Sequence, residues 1–128
     1  MTIDLLSVLP IKLIIVVLIF IVTDVFVGIV KAAYKTGFKS AKMRGGLYHK
    51  LGEIIAVIFG ALCELAFPIV GIDIKIPIVS SICIYLVIME TGSIVENLAI
   101  ISPNIKKILA KVFNAYKEKD ENEEADLT

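Results

Sequence analysis

Ile11-Lys12-Leu13-Ile14-Ile15-Val16-Val17-Leu18-Ile19-Phe20-Ile21-Val22 decides the fold of this chain. Every residue from Leu13 to Val22 is apolar, and the block continues to Val30 with only Thr23 and Asp24 as polar interruptions. A stretch from Ile11 to Val30 has the length of about 20 residues that a helix needs to cross a bilayer. Two more blocks follow, Leu51 to Val70 and Ile76 to Ile101, the latter with Pro77 near its start and Ser102-Pro103 closing it. Backbone groups exposed to lipid must be satisfied within their own segment, so each block is expected to be a helix. The predicted fold class is an all-α membrane protein. Three transmembrane helices, at about 11–30, 51–70 and 76–101, make up a membrane domain over residues 1–101. Lys12 precedes the first block as it would in a cleaved leader, but the block is of full span length and no small-x-small site follows, so it is read as a retained span.

Composition agrees. Hydrophobic residues are 58% of the 128, against about 45–50% in soluble domains, and the excess is concentrated in the three blocks. The formal net charge is +0, but the charges are segregated. Lys31, Lys35, Lys39, Lys42, Arg44 and Lys50 fall between the first two blocks without an acid among them. Gly37 and Gly45-Gly46 punctuate this segment, which reads as a basic cytoplasmic loop over residues 31–50. A second basic group, Lys106, Lys107 and Lys111, with Lys117 and Lys119, follows the third block. Three spans place both groups on one side, which predicts an outside N-terminus and a cytoplasmic C-terminus.

Beyond the third span, Ser102 suits a helix cap and Pro103 the first helical position. Ile105, Ile108, Leu109, Val112, Phe113 and Tyr116 then recur at helical spacing, with lysines on the other face. Residues 102–117 therefore read as an amphipathic basic helix. It is suited either to an anionic cytoplasmic leaflet or to packing on other helices of an assembly. The segment 118–128, rich in acids, reads as a disordered tail.

The residues that call for a role are the acids within the blocks: Asp24, Glu53, Glu64, Glu90 and Glu96. A charge at the centre of a span costs about 2.5–3.5 kcal/mol on insertion scales. No lysine or arginine lies well inside a block to pair with them, so they are expected to be neutral or to face water. Helical spacing puts Gly52, Ala56, Gly60 and Glu64 on one narrow face of the second span, where small residues let backbones approach. Asp24 and Gly28 continue to Ala32 in the first span, and Glu90, Ser93 and Asn97 share a face of the third. These faces suit helix packing, with Asp24, Glu53 and Glu96 near enough to span ends to reach the interface. They equally suit the lining of a water-filled hole built from many copies, and Glu64 and Glu90 favour an oligomer-facing or water-facing role.

Other functions find no support. Cys63 and Cys83 lie deep in apolar blocks and read as small core residues, and His49 has no ligand partner near it, so no metal or other cofactor is expected. No phosphate loop, dinucleotide fingerprint or nucleophile with a base is present, and no enzyme is predicted. Topology accounts for the basic loop without nucleic acid.

The sequence resembles the phage-lysis and toxin-secretion holin family of Gram-positive bacteria and their phages. The likeness runs from about Thr23 to Ala115. It is carried by Asp24-x-x-x-Gly28-x-x-Lys31-Ala32, by Ser40 and the Gly46-Leu47-x-x-Lys50-x-Gly52-Glu53 junction, and by Tyr85-x-x-x-x-Glu90-x-x-Ser93-Ile94-x-Glu96-Asn97-Leu98 with Pro103 after it. Val27 stands where threonine is expected, and Ser102-Pro103 replaces a longer Gly-x-Pro-x-Pro element. The resemblance implies a protein of the bacterial cytoplasmic membrane that oligomerises with itself and permeabilises the membrane, releasing a peptidoglycan hydrolase or a signal-less toxin. The alternatives are a small proton-coupled transporter or channel subunit, titrating at Glu64 or Glu90, and an antiholin-type membrane adaptor.

Overall fold

The computed structural model describes residues 9–37 and 40–127. They form helix α1 (Ile11–Lys31), a π-helical turn (Ala32–Thr36), and helices α2 (Ser40–Ile69), α3 (Ile78–Ile101) and α4 (Pro103–Leu127). Three segments are long and apolar enough to cross a membrane: Ile11–Tyr34, Ala41–Ile69 and Ile78–Ile101. The all-α architecture with three spans and a C-terminal helix is therefore the one expected.

Helix ends follow local chemistry. Gly37 ends the π turn at φ +66, a left-handed conformation that costs glycine little. At the end of α2, Gly71 takes φ +81. The N–H of Ile72 donates to the carbonyl of Phe67 at 2.9 Å, and that of Gly71 to the carbonyl of Pro68 at 3.3 Å. These paired bonds are the Schellman arrangement that closes a helix. The chain turns there and starts α3 after Pro77. Between α3 and α4, the Ser102 hydroxyl accepts the N–H of Ile105 at 3.5 Å, the capping role expected of it.

Three segments differ from the sequence reading. Residues 41–50 are helical rather than loop, because α2 begins at Ser40. Gly45 and Gly46 cost about 1 kcal/mol each in a helix, too little to stop a run otherwise rich in helix formers. The third span starts at Ile78, with Pro77 outside it as the cap residue. From there α3 runs unbroken to Ile101. The acidic segment expected to be disordered continues α4 to Leu127. Glu, Lys and Ala favour helix, and no glycine or proline follows Pro103 to end it.

α3 is the central helix. It packs along α1 on one side and α2 on the other, whereas α1 and α2 barely touch. The small core comprises Val17 and Ile21 from α1, Val57 from α2, and Val79, Cys83 and Leu86 from α3. Cys83 is thus the core residue its sequence position predicts. Around this core, large apolar side chains such as Val22, Phe26, Phe59 and Ile88 are exposed by 65% or more. A soluble monomer does not expose such a belt; hydrocarbon around the bundle covers it.

Candidate functional site

Inside this apolar belt lies a cluster of charges contributed by all three spans. Asp24 follows Val17 and Ile21 on the buried stripe of α1, and Glu90 follows Val79, Cys83 and Leu86 on that of α3. The helical period that buries the core therefore buries these carboxylates too, leaving Asp24 5% and Glu90 1% exposed. Asp24 precedes the end of its span, Tyr34, by 10 residues, roughly 15 Å of helix. Glu90 stands at a comparable depth before Ile101.

Lys50 enters the gap from α2. Its Nζ lies 2.6 Å from Asp24 Oδ2. It donates to Glu90 Oε1 at 2.5 Å and to Oε2 at 2.7 Å. Glu53, one turn further along α2, approaches the same ammonium at 3.6 Å. The amide of Asn97 donates to the other oxygen of Asp24 at 3.4 Å. One lysine thus ties α2 to both other spans at membrane depth. Its attraction to the carboxylates opposes the desolvation of all these groups, and removing it would leave carboxylates buried without a countercharge. The second Glu53 oxygen is buried with no hydrogen-bond partner among the described residues.

This corrects the sequence expectation that no base pairs with the membrane acids. Its basic neighbours assign Lys50 to the loop in the sequence, but the early start of α2 draws it into the bundle. A usable sign was present: Lys50 stands three residues before Glu53, on a face that continues into an apolar block.

Glu64 has a different setting. Its Oε1 accepts the backbone N–H of Val79 at 2.8 Å, in the first turn of α3. Pro77, at the cap position of α3, supplies no side-chain hydrogen bond. A carboxylate from the preceding helix takes its place, where a helix N-terminus favours negative charge. Gly60, one turn before Glu64, lets α2 approach α3 closely within a single copy. A Cβ placed there would stand 2.7 Å from Ile82 Cδ1.

The other candidates are dispersed. Ala56 and Ser93 are half-buried, while Gly52 and Glu96 are exposed. A Cβ added at Gly28 or Gly52 would meet nothing within 4 Å. Lys42, Arg44, Lys106, Lys107 and Lys111 are exposed and Lys31 is half-buried. Lys39 and the side chain of Lys35 lie outside the described residues. On α4, Ile108 and Val112 of the apolar stripe are exposed. Among the described residues, no group of His, Cys, Asp and Glu is arranged to hold a metal ion.

No curated protein and no solved structure matches the chain. A family model does: that of the bacteriophage holin family, a non-enzymatic family of membrane pore formers, matches residues 5–118. A match over most of the chain joins the three-span architecture in one conclusion, that the chain is a multi-pass membrane protein and belongs to the bacteriophage holin family.

Proposed function

We propose that this protein accumulates in the bacterial cytoplasmic membrane, assembles with further copies of itself, and opens a hole that releases a peptidoglycan hydrolase or a toxin lacking its own export signal. The observation that carries the reading is how the three spans spend their polar groups. Within one copy, Asp24, Lys50 and Glu90 are turned onto one another around α3, and the outside of the bundle is apolar. Three helices around so small a core enclose no water-filled path wide enough for a protein. A wide opening therefore requires many copies arranged around it.

In this reading the N-terminus lies outside and the C-terminus in the cytoplasm. Lys31 at the end of α1 and Lys42 and Arg44 in the first turns of α2 then share a side with the lysines of α4, as the positive-inside rule favours. The apolar stripe of α4, with Ile108 and Val112 uncovered by the rest of the chain, lies along the anionic leaflet.

The test is inducible expression in a prophage-free bacterium that also makes a signal-less hydrolase and a cytoplasmic reporter protein. Abrupt depolarisation together with reporter release is the expected result. Depolarisation with the reporter retained would reduce the function to that of a small channel. An unchanged potential, with the protein verified in the membrane, would reject permeabilisation and leave an antiholin-type adaptor or a transporter.

A further inference from the structure

Because α1 and α2 meet α3 but scarcely meet each other, a groove remains between them on the basic side of the bundle. It encloses about 350 Å³. Between its two ends its walls carry apolar side chains, Val25 and Ile29 on α1, Met43 and Leu47 on α2. Gly28 and Gly46 also line it, and a Cβ at either would meet nothing within 4 Å, so both border open space that a larger side chain could enter. Lys31 and Lys42 also line it, each at the end of its span where chain leaves the membrane. Among the described residues, neither has an ion-pair partner. The groove's inner end is polar, formed by Asp24, Lys50 and Asn97, with the charge of Asp24 met by Lys50 at 2.6 Å.

We propose that this groove binds one anionic phospholipid, with its phosphate held by Lys31 and Lys42 and an acyl chain against Val25, Ile29, Met43 and Leu47. The order of chemistry along the groove matches that of the ligand: two ammonium groups without an ion-pair partner among the described residues at the membrane surface, then apolar side chains below them. Basic pockets between membrane helices suit anionic headgroups. A second copy of the chain fits less well. In a symmetric pair, each surface meets its own twin, and the lysines of both copies would converge without an acid to receive them. The site needs the chain only to be in a membrane, so it stands or falls independently of hole formation.

The full-length protein, purified in mild detergent, is examined by native mass spectrometry with phosphatidylglycerol, with phosphatidylcholine of the same acyl chains, and with inorganic phosphate. One phosphatidylglycerol per chain is expected to be retained, and neither of the other two. The double variant Lys31→Gln/Lys42→Gln should lower retention roughly tenfold or more, from the contribution of two lysines near an anionic surface. Lys12→Gln/Lys75→Gln, at the opposite end of the bundle, should leave it unchanged. Gly46→Leu keeps both lysines and fills the groove, so it tests the site independently of charge, and it too should lower retention. Equal retention of the two lipids, phosphate bound as firmly as lipid, equal losses from both lysine pairs, or full retention by Gly46→Leu would each overturn the proposal. So would a lipid-free dimer that Gly46→Leu abolishes, which would assign the groove to a second copy.

Discussion

The carboxylate of Glu64, near the end of α2, caps the first turn of α3 by accepting the N–H of Val79 at 2.8 Å. A helix cap commonly comes from the residue just before the helix, but that position is Pro77, which offers no side-chain hydrogen bond. The connection from Val70 to Pro77 is short enough for the previous helix to supply the acceptor instead. Glu64→Ala is expected to cost about 1–2 kcal/mol, the range for loss of a cap. Glu64→Gln keeps an acceptor oxygen and should cost less. Unfolding of the purified protein in mixed micelles, titrated with a denaturing detergent, measures both. Equal losses would mean that the charge, not the hydrogen bond, matters at the helix end.

Gly60 sets the distance between α2 and α3. Because the atom nearest a new Cβ is the tip of Ile82, at 2.7 Å, Gly60→Ala requires only a side-chain shift and should be mild. Gly60→Leu forces the helices apart and should cost about 1–3 kcal/mol, as overpacking does. The same titration compares them, and a Leu variant as stable as the parent would show that the close approach is dispensable.

Lys50→Met should be the most destabilising of these changes, by about 3–5 kcal/mol, because it strands the buried carboxylates it neutralises. Adding Asp24→Asn and Glu90→Gln removes the stranded charges and should recover much of the loss. Single, double and triple variants form the mutant cycles that isolate this coupling. Additive effects would mean that the three groups do not act as a unit.

Orientation is open to chemical labelling. Asp73, in the turn between α2 and α3, and Asn104, at the start of α4, are both exposed. With the N-terminus outside, Asp73→Cys also faces outward and Asn104→Cys inward. A membrane-impermeant maleimide added to whole cells should label the first and spare the second until the membrane is permeabilised. The reverse pattern would invert the proposed topology.

Sequence alone determined that this chain belongs in a membrane, how many times it crosses, and where α4 begins. Each of these follows from a property carried along the chain: the length of an apolar run, the sign of the charges flanking it, and a Ser-Pro pair that caps and starts a helix. The acids to examine were legible too, since a carboxylate within an apolar block stands out in any reading. What each acid meets was decided only in three dimensions. Lys50 reads as a loop residue until α2 is seen to begin at Ser40, and its contact with Glu90 joins residues separated by 40 positions. Glu64 reads as an unmatched charge until the turn after Gly71 brings the bare N-terminus of α3 against it. Hydrophobic burial along one helix is periodic and local, so a sequence displays it. Pairing between helices depends on their axial register and on which two of the three meet, and those are set when the helices pack.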